Sequence, residues 1–105
     1  MNLFTIAETI RTKVPREELL AGLAEEAAEL AQAALKYRRA LDGTNPTPVT
    51  TQEAQEALYE EIADVVLYLA VLDMIVNASF ASEAPVQRVA EKITRWVKRL
   101  QEVQV

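Results

Sequence analysis

Apolar residues recur three and four positions apart along most of this 105-residue chain, which is the spacing of one face of an α-helix. Breaks in the pattern predict where helices begin and end. A first helix covers Leu3 to about Thr12, and a second, opened by Pro15, runs from Arg16 to about Leu41. The loop Asp42 to Thr50 follows, because it concentrates Gly, Asn and two Pro.

The remainder of the chain predicts two more helices. Thr50 and Glu53 have the spacing of a capping box, so a third helix begins there and runs to about Asn77. After a turn, Ser82 caps a fourth helix that ends near the C-terminus. The expected fold is therefore all-α, a single domain over residues 1–105. It is a four-helix bundle with two long central helices and shorter N-terminal and C-terminal helices.

Acidic residues interrupt the apolar face of each long helix. The buried row of the second helix contains Glu26 between apolar residues, and Glu29 lies one turn further on the same side. In the third helix Glu61 and Asp64 have the same spacing in an otherwise apolar row. Glu25 leans further from this face. The two pairs are thus predicted to face each other across the helices.

The third helix has almost no polar surface after Asp64, so it must be covered nearly all round. A chain of this size has few other helices to cover it. The sequence therefore predicts completion by a partner subunit, in a homodimer or a homotetramer.

Composition removes several kinds of chemistry. The chain has no Cys and no His, which excludes disulfides, the usual zinc sites, thiol nucleophiles and His-dependent triads. A net charge of −5 disfavours nucleic acid and anionic membranes as partners. The longest apolar run, Val65 to Leu72, is far shorter than the about 20 residues of a membrane helix. No secretory leader is visible, so a cytoplasmic protein is expected.

Ionised carboxylates on a buried face repel one another and lose hydration. They are therefore protonated, paired with Lys or Arg, or bound to a metal ion. A single such Glu pair on an Ala-rich helix usually lies on a solvated face. Two pairs, each aligned with an apolar row, instead favour a functional site. With only oxygen ligands available, Mg²⁺ or Mn²⁺ fits better than zinc.

The segments EEAAEL, Glu25 to Leu30, and EEIADV, Glu60 to Val65, resemble the paired EExxE and ExxD motifs of MazG-like nucleotide pyrophosphohydrolases. This all-α superfamily includes helical dUTPases and dCTPases. The resemblance implies hydrolysis of a nucleoside or deoxynucleoside triphosphate between its α and β phosphates, giving a monophosphate and pyrophosphate. It implies that the cation is held by four acids, which are Glu26, Glu29, Glu61 and Asp64.

A catalytic carboxylate that activates water is assigned first to Glu26 and second to Glu25. Tyr68 occupies a place where similar proteins have an aromatic residue near the nucleotide, although a core role is an equal alternative. Relatives also place basic residues after the ExxD helix for phosphate contacts. Lys92 and Arg99 are the corresponding substrate-binding candidates here, with Trp96 between them where many relatives have Asn.

Three features remain open at this stage. Lys36, Arg38 and Arg39 could reach phosphates, but a solvated charge run at a helix end explains them as well. Asp73, inside an apolar run, is a metal ligand, a partner for a basic residue or a solvent-facing residue at a helix end. The gap of 31 residues between Glu29 and Glu61 is long for the family, which prevents transfer of base specificity.

Two alternatives to the enzyme hypothesis are kept. The first is an inactive relative that still binds nucleotides. The second is a helical interaction module whose acids form salt bridges across a dimer.

Overall fold

The computed structural model describes residues 3–43, 49–74 and 84–103, and every regular element within these ranges is an α-helix. The prediction of an all-α chain with two long helices in the middle is confirmed. The four helices are α1 (Leu3–Lys13), α2 (Arg16–Asp42), α3 (Thr51–Val71) and α4 (Pro85–Val103).

Local chemistry explains where α2 ends and where α3 begins. Gly43 follows α2 in the left-handed conformation, with φ of 68°, and its N–H donates to the Arg39 carbonyl at 3.0 Å. Glycine adopts this conformation without a steric penalty. At the start of α3, the Thr50 hydroxyl accepts a hydrogen bond from the Glu53 N–H at 3.1 Å, as the capping pattern predicts. The predicted loop residues 44–48 lie outside the described residues.

The third helix ends earlier than the sequence predicts. It stops at Val71 rather than near Asn77, which lies outside the described residues. Leu72 caps it, and Asp73 then has a φ of 57°. Asp tolerates the left-handed conformation better than most residues because its short side chain can bond locally. The prediction of a helix through Asp73 was therefore wrong, and this acid marks the chain's departure from α3.

The chain divides into two compact units, one ending at Leu72 and the other beginning at Asp73. In the first unit α3 packs along α2, with Tyr68 against Gly22. Further along, the Thr51 hydroxyl lies 3.4 Å from the Ala40 carbonyl oxygen. These contacts at opposite ends show that α2 and α3 are antiparallel. They also place the middle of α2, around Glu26, beside the middle of α3.

α1 packs against α3 in the same unit. The Arg11 guanidinium donates a hydrogen bond of 2.9 Å to the Val71 carbonyl oxygen. This carbonyl is one of the last in α3, where the helix leaves acceptors without intrahelical donors. A cation there also matches the negative end of the helix dipole. Arg11 thus holds the end of α3 at the place where the first unit stops.

The core of the first unit is small. Leu19, Ala54, Val71 and Leu72 are its buried apolar residues within the described ranges. Large apolar side chains on α3 stay exposed, among them Tyr59 at 55% and Leu67 at 51%. The helices of the first unit therefore leave these side chains of α3 uncovered. The homodimer or homotetramer itself stays a prediction.

The second unit contains α4, which begins with Pro85 at its first position, where the missing N–H costs nothing. The Ala84 N–H donates to the Gln87 side chain at 2.8 Å, which completes the start of the helix. Ser82, the predicted cap, lies outside the described residues. Residues 85–103 are all exposed. Within the described ranges, none of the helices combines the length and the apolar character that crossing a membrane requires.

Candidate metal centre

Three carboxylates converge where α2 and α3 lie side by side. One oxygen each of Glu26, Glu29 and Glu61 lies within 4.8 Å of the other two. Glu26 and Glu29 are one turn apart on α2, so they point the same way. The antiparallel packing brings Glu61 of α3 to the same level. The predicted meeting of the two acidic motifs is therefore what the structure shows for these three residues.

Asp64, the fourth predicted acid, lies at the edge of this group. It is half-buried, and its negative charge contributes to raising the pKa of both Glu26 and Glu61. It is not one of the three residues whose oxygens lie within 4.8 Å of one another. All four acids thus share one electrostatic environment, with Asp64 one turn beyond Glu61.

The environment disfavours negative charge on two of these groups. Desolvation, followed by the charges of Glu29 and Asp64, raises the pKa of Glu26 from 4.5 to about 7. Desolvation and the same two charges also raise the pKa of Glu61. One oxygen of each, Oε2, is buried without a hydrogen-bond partner among the described residues. Most buried polar atoms in folded proteins are hydrogen-bonded, so these two oxygens need an explanation.

A bound divalent cation would account for these observations. While these carboxylates are all ionised they can only accept hydrogen bonds, so in that state they cannot satisfy one another. Mg²⁺ and Mn²⁺ prefer oxygen ligands, and two buried, unpartnered oxygens in an all-oxygen group fit that preference. The residues present therefore suit a hard divalent ion.

Glu25, the second candidate for a catalytic carboxylate, is exposed and does not belong to the group of three. It precedes Glu26 by one residue, which turns its side chain by about 100° around the helix. Glu60 is exposed next to Glu61 in the same way. The helical phase thus separates the inward acids from their neighbours. The catalytic roles of Glu25 and Glu26 stay predictions.

Tyr68 lies one turn beyond Asp64 and is half-buried against Gly22. A side chain at position 22 would overlap the end of the Tyr68 ring, so glycine allows this close approach. Tyr68 also lines a hollow of about 400 Å³ with mostly apolar neighbours from all three helices of the unit. This position suits packing, and the substrate contact stays a prediction.

Replacing Gly22 with Ala is expected to destabilise the protein by up to about 2 kcal/mol. Displacing the Tyr68 ring costs about 1–3 kcal/mol, as overpacking usually does. The gain in helix propensity is only about 1 kcal/mol. Urea denaturation of the purified variant measures the difference in the free energy of unfolding.

The Tyr68→Ala background provides the control for this substitution. Once the ring is absent, Gly22→Ala should stabilise α2 by about 0.5–1 kcal/mol, because only the helix propensity changes. The two backgrounds therefore give opposite signs in a double-mutant cycle. The same stabilisation in both would show that the ring does not depend on glycine at position 22.

Lys92 and Arg99, the predicted phosphate-binding residues, lie on α4 in the second unit. Together with Arg95 and Trp96 they line a surface depression of about 440 Å³. Trp96 is 65% exposed there. Lys92 and Arg99 thus share one face of α4, as their seven-residue spacing predicts. Their contact with substrate stays a prediction.

The sequence left two interpretations open for Lys36 and Arg39, which are phosphate contact and a solvated charge run. With Glu29 and Glu61 they line a cleft of about 590 Å³ between α2 and α3. The spacing in the sequence indicates that these residues lie on one side of α2. Lys36 follows Glu29 by two helical turns, and Arg39 follows Lys36 by one further turn. Arg38, between them, is exposed and does not line the cleft. Lys36 and Arg39 line a cleft, instead of forming an ordinary solvated charge run, because α3 lies beside them.

Most of this chain is similar to a family of known proteins. A family model described as the MazG nucleotide pyrophosphohydrolase domain matches residues 15–100. The matched range includes both acidic pairs, the whole of α2 and α3, and most of α4. No curated protein and no solved structure matches the chain significantly.

Proposed function

This chain belongs to the MazG nucleotide pyrophosphohydrolase family, and we propose that it hydrolyses a nucleoside or deoxynucleoside triphosphate between the α and β phosphates. The products are a nucleoside monophosphate and pyrophosphate. The observation that carries this proposal is the convergence of Glu26, Glu29 and Glu61, two of which have buried oxygens without a partner among the described residues. Such a group is suited to a metal-dependent reaction on a polyanion.

Glu26, Glu29, Glu61 and Asp64 would hold Mg²⁺, or Mn²⁺ in its place. When bound, the ion would neutralise charge and polarise the phosphate oxygens, which would make this acidic site accessible to an anionic substrate. Glu29 is exposed, whereas the other three acids are half-buried, so the site opens to solvent on the Glu29 side.

Glu26 is the proposed general base, with Glu25 the second choice. A carboxylate has two oxygens, so one oxygen of Glu26 can hold the ion while the other accepts a proton from the attacking water. In the reaction, the oxygen of water forms a bond to the α phosphorus as its proton passes to Glu26. The bond between the α phosphorus and the bridging oxygen breaks, and its electron pair leaves with the pyrophosphate.

A direct assay tests this function. The purified protein is incubated with each ribonucleoside and deoxynucleoside triphosphate plus Mg²⁺ or Mn²⁺, and pyrophosphate and orthophosphate are measured separately. Pyrophosphate in equal amount to nucleoside monophosphate is the expected result. Release of orthophosphate alone would contradict the proposal, because it indicates cleavage of the terminal phosphate.

The same assay separates the two alternatives. Tight nucleotide binding without turnover would indicate an inactive relative. An interaction module predicts that neither cation raises the melting temperature, even with nucleotide present. Size-exclusion chromatography of the same sample distinguishes a monomer from the proposed homodimer or homotetramer.

A further inference from the structure

The cleft beside the acidic group has a charge pattern that the proposed metal site does not explain. Glu29 and Glu61 form one part of its lining, and Lys36 and Arg39 form another. Its volume of about 590 Å³ lies within the usual range of about 300–1,000 Å³ for small-molecule sites. A single cleft therefore offers both the acids for a cation and cations for an anion.

Lys36 and Arg39 are available for a ligand. Lys36 is exposed and Arg39 is half-buried, and neither forms an ion pair with any of the described residues. In a chain with a charge of −5, acidic partners for them would be plentiful. Guanidinium and ammonium groups in a partly enclosed cleft bind phosphate oxygens well, and guanidinium does so with two parallel hydrogen bonds.

The helix geometry fits the length of a triphosphate. Lys36 lies seven residues after Glu29, or about 10 Å along α2 at about 1.5 Å per residue. The long Lys and Arg side chains can reach back over part of that distance. The same end of the cleft is lined by Ala54, in the first turn of α3, where the helix dipole is positive. The electrostatic potential therefore becomes more favourable for an anion from the acidic group toward Lys36 and the start of α3.

The opposite direction along the helix pair is unsuited to phosphates. Beyond Asp64 lies the hollow that contains Tyr68, and its lining is apolar except for the Tyr68 hydroxyl and Glu18. Neither Lys nor Arg contributes to it. An aromatic ring beside apolar side chains suits a nucleobase far better than a charged group.

We propose that Lys36 and Arg39 bind the β and γ phosphates of the substrate, the part that leaves as pyrophosphate. This inference rests on the proposed function, since it takes the α phosphate to lie at the acidic group. This proposal predicts a single orientation of the substrate along α2 and α3. The terminal phosphates lie toward Lys36 and Arg39, and the base lies toward Tyr68.

Binding of the two products separately tests the direction of the substrate. Isothermal titration measures inorganic pyrophosphate and a panel of nucleoside monophosphates, all with Mg²⁺, against the wild-type protein and Lys36→Gln/Arg39→Gln. Pyrophosphate should bind the double variant at least about 10-fold more weakly, because charge-assisted hydrogen bonds are lost. Nucleoside monophosphates should bind about equally to both proteins.

Arg38→Gln is the matched control, because it removes a cation from the same turn of α2 outside the cleft. It should leave the affinity for pyrophosphate unchanged. Lys36→Gln alone, at an exposed position, is a second variant that leaves the half-buried Arg39 in place. It should give part of the loss. In turnover, the double variant should raise KM for the triphosphate more than it lowers kcat.

The inference is overturned if the double variant binds pyrophosphate like the wild type, or if its affinities for pyrophosphate and monophosphate fall equally. Hydrolysis by the wild-type protein together with either result would leave the proposed function intact. Failure of the proposed function gives a different result, because the wild-type protein then shows no turnover. In that case, selective loss of pyrophosphate binding would still support the phosphate subsite.

Discussion

Replacing Glu61 with Gln is expected to lower Mg²⁺-dependent hydrolysis at least about 100-fold in kcat/KM, while raising the melting temperature of the metal-free protein. Both effects have one cause. Glu61 Oε2 is buried without a partner among the described residues, and desolvation together with the charges of Glu29 and Asp64 raises the pKa of this group. The amide has nearly the same shape but removes one of the repelling charges. It also removes a carboxylate ligand from the proposed metal site.

Differential scanning fluorimetry with and without Mg²⁺, beside the pyrophosphate assay, measures both effects. The variant should melt at a higher temperature without metal and gain less from added Mg²⁺ than the wild type. Glu56→Gln is the matched control, an exposed acid on α3 outside the group of three. It should change neither activity nor the response to Mg²⁺. If Glu61→Gln keeps full activity, Glu61 is not a ligand of the metal ion.

The second large effect is a loss of stability with rising pH in the metal-free protein. Glu26 has a pKa of about 7 in the folded state against 4.5 as its reference value. Between these pH values the folded state binds more protons than the unfolded state. The free energy of unfolding therefore falls as pH rises through this window. The raised pKa of Glu61 acts in the same direction.

Thermal melts in EDTA between about pH 5 and pH 8 measure this slope. The Glu26→Gln variant should show a shallower fall, because Glu61 alone then contributes. Mg²⁺ should oppose the fall, since it competes with protons for the same carboxylates and binds more tightly as they ionise. Stability that rises over this range in EDTA would contradict the desolvated acidic group. If stability falls equally steeply with pH in the wild type and in Glu26→Gln, other residues cause the pH dependence.

Much of the site could be predicted because helical phase is a strong constraint. EEAAE offers three acids in five residues, and the apolar row alone selects Glu26 and Glu29 over Glu25. The structure brings the selected two together with Glu61 and leaves Glu25 exposed. Capping chemistry likewise predicted the start of α3 at Thr50.

The end of α3 was wrongly predicted because the local sequence does not contain the deciding information. The apolar residues around Asp73 continue the helical pattern, so the sequence alone extends α3, whereas the chain leaves the helix there with a positive φ. Lys36 and Arg39 resemble ordinary surface charges near a helix C-terminus. Their shared cleft depends on α3, which is remote in sequence.

The caps on either side of the α2–α3 connection have a consequence for insertions into this chain. Gly43 terminates α2 and Thr50 starts α3, and the Ala40–Thr51 contact holds these ends together. A longer connection between Gly43 and Thr50 costs little free energy, because loop-closure entropy grows slowly with length. An affinity tag inserted there is therefore expected to leave Glu26, Glu29 and Glu61 within reach of one another.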